Sequence, residues 1–184
     1  YGFRRAEAKS DLAWHGADSV LVGTDFGPCS TTDSGYPRVV KLWRRGTALS
    51  SSTLVYEGQK TDVGVWPWTV DRPDAQAAFV MRSITRYDNE LHWLRPDGTL
   101  QRVPVPADAR VQGLFQGRLL VHLRSEWKAG AELFPKGALV ALPFSETEGP
   151  GSESALELVA APSERRSLEA ISIASSPLDL VFLD

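Results

Sequence analysis

Apolar residues recur along this sequence in short runs, and polar or turn-forming residues separate each run from the next. Hardly any run follows the three-to-four-residue spacing of an amphipathic helix. The pattern is typical of β-strands joined by turns, so we expect an all-β fold. The first four predicted strands are Asp11–His15, Asp18–Thr24, Arg38–Arg44 and Thr53–Glu57.

This series of four strands repeats along the chain. A second series is predicted at Asp62–Trp68, Ala77–Arg82, Glu90–Leu94 and Leu100–Val105. A third is predicted at Arg110–Phe115, Arg118–Arg124, Ala138–Leu142 and Leu156–Ala160, and half of a fourth at Glu169–Ile173 and Leu178–Leu183. Equivalent first-strand positions, Leu12, Val63, Val111 and Ile171, are 51, 48 and 60 residues apart. Roughly 40 to 50 residues per repeat is usual for four-stranded propeller blades.

We therefore predict an incomplete β-propeller of about three four-stranded blades and half of a fourth. It fills residues 1–184, with blades at about 10–60, 61–106, 108–161 and 166–184. A β-sandwich is the alternative fold for strands at this spacing. The longest interval contains the acidic insertion Ser145–Ser154, whose low apolar content predicts a mobile loop.

An open sheet edge is expected at the end of the sequence, where the fourth series stops after two strands. Folded proteins cover or pair such edges. We therefore interpret Asp184 as the end of a fragment rather than a natural terminus, and we expect the open edges to allow self-association.

Charge and motifs narrow the possible functions. The net charge is −3 and the basic residues are scattered, which argues against a nucleic-acid partner. No apolar run approaches the length of a membrane-spanning helix. The sequence contains no G-x-S-x-G nucleophile elbow, H-E-x-x-H, C-x-x-C, P-loop or dinucleotide fingerprint, so we predict no catalytic residue, metal site or cofactor in this chain. The three histidines, His15, His92 and His122, fall in different series and are interpreted as polar strand positions rather than metal ligands.

Residues 23–47 contain three distinctive short motifs. They read GTDFG, then TDSGYPR, then VKLWRRGT. This stretch resembles the N-terminal β-propeller region of the bacterial branch of the prolyl oligopeptidase family of serine peptidases. The resemblance continues through Leu54–Gly58, Asn89–Leu94 and residues 119–143, so that it covers most of the chain.

The resemblance implies a role in substrate access. Family members carry their Ser, Asp and His in an α/β-hydrolase domain that follows the propeller, and none of those positions exists here. The propeller is then expected to cap that domain and admit only short peptides, its partners being these substrates and the missing hydrolase domain. A free-standing propeller-like binding module without catalysis is the alternative. The resemblance, with the single cysteine Cys29, leads us to expect a bacterial cytoplasmic protein, with the periplasm left open.

Two candidate substrate-binding residues follow from the resemblance. Arg82 stands seven residues before Asn89, as does the family arginine that holds the substrate backbone. A guanidinium suits peptide carbonyls or a terminal carboxylate, although pairing with a carboxylate of a neighbouring blade is the alternative. Thr85 stands where the family has a cysteine, which puts strict proline preference in doubt.

Three further candidates lie in the long loop between the second and third predicted strands. Asp25, Phe26 and Tyr36 offer an acceptor and aromatic surface on a loop, where binding residues are common. The alternative is that these residues only fix the turn.

Overall fold

The computed structural model describes residue 3 and residues 7–163, 167–173 and 178–183. Their regular structure consists of β-strands and two short 3-10 helices, with no α-helix, which confirms the predicted all-β fold. The described residues pack into two compact units, one within the ranges 1–71 and 77–103, the other within 72–76 and 104–184. Of the open edge predicted at residues 178–184, residues 178–183 are described and Asp184 is not.

The first unit contains two four-stranded antiparallel sheets, each with its strands in chain order. The strands of the first sheet are β1 (Asp11–Trp14), β2 (Ser19–Gly23), β3 (Val39–Arg44) and β4 (Thr53–Glu57). A 3-10 turn, Leu49–Ser51, precedes β4. The strands of the second sheet are β5 (Gly64–Arg72), β6 (Ala75–Ser83), β7 (Asn89–Leu94) and β8 (Leu100–Arg102).

The core of the first unit forms where strands of the two sheets bury their apolar faces. Its buried members are Leu21, Val40, Val65, Ala78, Val80 and Leu94. Burial of one such side chain contributes about 1.5–3 kcal/mol, so this cluster fixes the strands that carry the candidate residues. A second cluster on the first sheet joins Val20, Val22 and Trp43 to the partly buried Phe3, Phe26 and Leu49.

The second unit contains a five-stranded sheet and two hairpins. Its strands are β9 (Arg110–Phe115), β10 (Arg118–His122), β11 (Trp127–Ala129), β12 (Glu132–Phe134), β13 (Leu139–Ser145), β14 (Gly149–Pro150), β15 (Glu157–Ala160), β16 (Ser167–Ile173) and β17 (Leu178–Leu183). In the five-stranded sheet β14 and β15 both pair with β13, followed by β10 and β9. Its core is Leu120, Leu139, Ala141 and Leu168, covered by partly buried side chains of the β16–β17 hairpin.

One hairpin and one loop differ from what the sequence predicts. The hairpin of β11 and β12 has only three residues on each strand and turns at Gly130, whose φ is +60°. Residues 145–154 form more than an irregular loop, because β14 pairs with Phe144 and Ser145 and a 3-10 turn occupies Glu153–Ala155. Main-chain hydrogen bonds thus organise a segment with few apolar side chains.

Candidate membrane-spanning helices and metal-binding groups are both absent from the part of the chain that the structure describes. Among the described residues, no helix is long and apolar enough to cross a membrane. Within the same ranges, no group of three or more His, Cys, Asp or Glu side chains is arranged to hold a metal ion.

Candidate functional site

Arg82 lies near the end of β6, an inner strand of the second sheet. In the β6–β7 register it stands opposite Glu90, and Ser83 stands opposite Asn89. Its side chain is 21% exposed, so it is only partly covered. The strand therefore presents a fixed positive charge at a partly open position.

Asp62 is the main partner of Arg82. It lies in the connection between the two sheets of the first unit, and its side chain is only 1% exposed. Nε of Arg82 donates to Oδ2 of Asp62 and Nη2 donates to Oδ1, both over 2.9 Å. The Gln59 N–H also donates to Oδ2, over 2.6 Å. This two-point geometry is the strong form of an arginine–carboxylate pair, and it fixes the plane of the guanidinium.

Glu90 is the second carboxylate of the cluster. Nη1 of Arg82 lies 3.3 Å from Oε2 of Glu90, and Nη2 of Arg102 lies 3.5 Å from its Oε1. Nε2 of His92 lies 3.7 Å from the same Oε2. The His92 ring packs against Tyr56 of β4 at a centroid distance of 5.0 Å. We name Arg82, Asp62, Glu90, His92, Arg102 and Tyr56 the Arg82 cluster.

The cluster shifts the ionisation of its members. Burial alone would raise the pKa of the Asp62 carboxyl, but the hydrogen bonds from Arg82 and Gln59 and the Arg82 charge outweigh it, so that this pKa is lowered from 3.8. The hydrogen bond with Asp62 is also the main cause that raises the pKa of Arg82. Burial lowers the pKa of His92 from 6.5 and raises that of Tyr56 from 10.0. At neutral pH the cluster thus combines two arginine cations with ionised Asp62 and a neutral imidazole.

Thr85 lies in the exposed loop between β6 and β7. Its hydroxyl donates to Oδ2 of Asp88 over 2.8 Å and accepts the N–H groups of Tyr87 and Asp88. These bonds close the turn. The structure therefore gives Thr85 a local structural role beside its predicted place in a binding pocket.

Asp25 and Phe26 begin the loop between β2 and β3. Oδ1 of Asp25 accepts from the Gly27 N–H over 2.8 Å and from the Ser30 hydroxyl over 2.9 Å, and these two bonds lower the pKa of Asp25. The ammonium of Lys41 lies 4.4 Å from the centre of the Phe26 ring, a cation–π distance. Both residues therefore shape the loop.

Tyr36 ends the same loop and lies against the second sheet. Its ring meets Trp66 edge-on at 5.5 Å, and the ammonium of Lys9 lies 4.2 Å from its centre. Nε1 of Trp66 donates to Oγ of Ser83 over 3.1 Å. Through Trp66, Tyr36 is thus linked to the strand end that carries Arg82.

An open depression of about 360 Å³ lies beside the loop. It is lined by Phe26, Pro28, Cys29, Ser30, Arg38, Val39, Lys41, Leu54 and Glu57. Cys29 has a φ of +67°, unusual for a residue other than glycine, and its carbonyl oxygen accepts N–H groups from Arg38. The Arg38 guanidinium also bonds the Gly58 carbonyl and pairs with Glu57. It therefore joins the Cys29 side of the depression to the Glu57 side.

Arg82 is a candidate from the sequence, whereas its partners Asp62 and Glu90 are not among the predicted site residues. The sequence predicts Asp62 as the start of a strand and Glu90 as an ordinary strand position. One signal was present: Glu90 and His92 are two apart, so they share a face of β7, and the Pro96-Asp-Gly98 turn brings Arg102 opposite His92. Asp62 gave no comparable signal because it lies 20 residues before Arg82, in an irregular connection.

Comparisons with known proteins identify the relatives of the chain. No protein-family model matches it. An uncharacterized peptidase of Sinorhizobium fredii is 28% identical over 76% of this chain, and an uncharacterized peptidase of Rickettsia prowazekii is 26% identical over 92%. A solved structure of a post-proline cleaving enzyme from Rickettsia typhi matches 95% of this chain, with a TM-score of 0.81 and 23% identity.

The chain spans about a fifth to a quarter of the length of these relatives, covering 20% and 24% of the two peptidases and 26% of the solved structure. The matched fold is that of the propeller region rather than a β-sandwich, and none of the described sheets is closed. The resemblance drawn from the sequence is confirmed: the chain is similar to the N-terminal propeller region of the prolyl oligopeptidase family of serine peptidases.

Proposed function

We propose that this chain is the substrate-access part of a serine peptidase, in which a propeller admits short peptides to a catalytic domain located elsewhere in a longer protein. The observation that carries the proposal is the fold match over 95% of the chain to a peptidase of which it covers 26%. The two curated relatives, both named peptidases, support the same assignment.

The physical advantage of such a cap is selection by size. A propeller above a reactive serine excludes folded proteins from the site and keeps bulk water from the reacting carbonyl. Peptides short enough to pass reach the site in an extended form. The peptidase activity and the α/β-hydrolase partner are parts of this proposal, and so is location in the bacterial cytoplasm.

Arg82 is the residue proposed to touch the peptide. Its side chain is partly exposed, and the pair with Asp62 holds the guanidinium in one orientation. A guanidinium fixed in this way donates to a peptide carbonyl or a terminal carboxylate with little loss of side-chain entropy. The two interpretations of Arg82, carboxylate pairing and substrate contact, are therefore compatible, and the carboxylates belong to its own sheet and to the preceding connection.

The test uses the complete gene product that contains this sequence. We expect it to hydrolyse short peptides, to lose activity as the peptide lengthens, and to spare the same cleavable sequence within a folded protein. Arg82→Gln is expected to raise KM about tenfold, the effect of losing one charge-assisted hydrogen bond, with a smaller change in kcat. Arg118→Gln is the matched control, because Arg118 is 46% exposed and pairs only with the exposed Glu157 among the contacts described for it.

Two results would overturn the proposal in different ways. A complete product that binds peptides without cleaving them supports the alternative of a free-standing binding module. A product that cleaves folded proteins as fast as short peptides removes the access role. An unchanged KM in Arg82→Gln removes only the peptide contact, because the access role depends on the fold.

A further inference from the structure

The Glu90 carboxylate is shared by basic side chains on three strands. Oε2 of Glu90 lies 3.3 Å from Nη1 of Arg82 on β6 and 3.7 Å from Nε2 of His92 on its own strand. Oε1 lies 3.5 Å from Arg102 on β8. One oxygen, Oε2, thus stands between a permanent cation and a side chain that becomes a cation only when it binds a proton.

His92 is the unsatisfied member of this set. Among the described residues its buried Nε2 has no hydrogen-bond partner, and a buried polar nitrogen without a partner costs free energy. The nearest acceptor is Oε2 of Glu90, which is too far for a hydrogen bond by about 0.5 Å or more. A proton on Nε2 would turn this near contact into a charge-assisted bond after a small movement of either side chain.

The groups that surround the His92 ring determine the pH at which it takes up a proton. Arg82 on β6 and Arg102 on β8 oppose its protonation, and Glu90 favours it. Tyr56 of β4 packs on one side of the ring, Asp62 neutralises much of the Arg82 charge, and the residue opposite His92 on β6 is the apolar Val80. Burial and the two arginines keep the pKa of His92 below 6.5, so the ring is neutral at pH 7 and takes a proton only in acid.

We propose that His92 is an acid-sensitive positioning residue for Arg82: when its ring takes a proton from solvent, Oε2 of Glu90 turns from Nη1 of Arg82 to Nε2 of His92. Arg82 then keeps its two bonds to Asp62 and regains the N–H of Nη1 that Glu90 accepts at neutral pH. The exchange needs no movement of the backbone, because all three side chains project from paired strands of one sheet.

The effect of this exchange on peptide binding rests on the proposed function. If Arg82 holds a peptide oxygen, the released N–H strengthens that hold in acid. The neutral form would be the weaker binder, because Glu90 competes with the peptide for the same donor.

The direct test is a pair of crystal structures of the complete protein, at about pH 7.5 and about pH 5, the range in which histidine titrates. We expect the distance from Oε2 of Glu90 to Nε2 of His92 to shorten to about 2.8 Å in acid, and the distance to Nη1 of Arg82 to lengthen beyond about 3.5 Å. Equal distances at the two pH values would overturn the proposal. In His92→Phe, which keeps a ring against Tyr56, the Glu90–Arg82 contact should not respond to pH.

The kinetic test compares the KM of a variant with that of the parent protein at the same pH. Titration of the catalytic groups affects both proteins equally and cancels in this ratio. The KM of His92→Phe relative to the parent protein should be about 1 near pH 7.5 and about three to ten near pH 5, the effect of one hydrogen bond. Glu90→Gln, which removes the competing charge without reducing the packing, should abolish this pH-dependence of KM. If Arg82→Gln leaves KM unchanged, the peptide contact of the proposed function fails, whereas the crystal distances still decide the exchange at Glu90.

Discussion

Arg82, on an inner strand of the second sheet, forms two hydrogen bonds of 2.9 Å with Asp62 of the preceding connection, whose side chain is 1% exposed. Breaking a buried pair by removing one partner leaves the other charge desolvated and uncompensated. We expect Asp62→Ala to lower the free energy of unfolding by about 2–4 kcal/mol, measured by urea denaturation followed by tryptophan fluorescence.

The control for this prediction is an exposed ion pair in the same unit. Arg45 and Asp18 lie 3.0 Å apart, but their side chains are 37% and 81% exposed. Asp18→Ala should therefore cost no more than about 1 kcal/mol. Equal losses in the two variants would contradict a special role for the Asp62 pair.

Gly58 is a second point at which the Arg82 cluster can be disturbed. A Cβ at this position would lie 2.7 Å from Cγ2 of Val65 and 2.8 Å from Oδ2 of Asp62, closer than such atoms approach. We expect Gly58→Ala to cost about 1–3 kcal/mol and to raise KM in the complete peptidase, because Asp62 must move and carries Arg82 with it. Gly98→Asn, at a left-handed turn with open space, is the control that should change neither quantity by much. Normal KM in a destabilised Gly58→Ala would show that the displacement stops short of Arg82.

Stability should depend on pH in two separate windows. The pKa of Asp62 is lowered in the fold, so the unfolded chain binds more protons in acid; the contribution of Asp62 is complete above pH 3.8 and is lost as the pH falls further. The pKa of His92 is also lowered, so its contribution is complete above pH 6.5 and declines below that value. His92→Phe should weaken the pH-dependence of stability just below pH 6.5, where His122, whose pKa burial also lowers, still contributes. The more acidic window should be unchanged, as urea midpoints across pH would report.

The hairpin of β16 and β17 has an exposed apolar side. Val181 is 52% exposed and Leu183 is 55% exposed, and within the described residues β17 pairs only with β16. We expect the 184-residue chain, made by itself, to self-associate through this strand, because an unpaired edge with apolar side chains recruits another strand. Leu183→Lys should shift the mass measured by light scattering toward the monomer, whereas Tyr87→Lys, at an exposed loop position, should not. A monomeric parent chain would contradict this expectation.

The sequence predicted the strands better than it predicted their contacts. Strands alternate or bury apolar residues, which is a local signal, and most predicted strands appear within a few residues of their expected ends. The second sheet shows the limit: β5 continues to Arg72 although Pro67 lies within it, and an edge strand tolerates a proline because one side of its backbone needs no ladder bond. The positions of blade boundaries and the roles of Asp25, Phe26, Tyr36 and Thr85 in substrate binding stay predictions.

The Arg82 cluster was less accessible to sequence reasoning because its members meet only through tertiary structure. Arg82 became a candidate through resemblance to a family, and no local pattern indicates that Asp62 bonds it. His92 looked like any polar strand residue, since only the packing of Tyr56 from β4 reveals that its ring is enclosed. The burial and the pairing of charges depend on contacts between strands that are distant in the sequence. A window of a few residues therefore cannot reveal either.

The connection between β4 and β5 is held at two points, since Arg38, which directly precedes β3, bonds the Gly58 carbonyl and Arg82 of the second sheet bonds Asp62. Between these two anchors lies Lys60, an exposed residue whose carbonyl oxygen accepts the Asp33 N–H over 2.8 Å. Trypsin cleaves after lysine, but a protease must bind several residues of extended backbone in its cleft before it can cleave. Proteolysis at Lys60 should therefore be slow while both arginines hold their partners, and its rate would report the opening of a connection that spectroscopic signals from the strands would not detect.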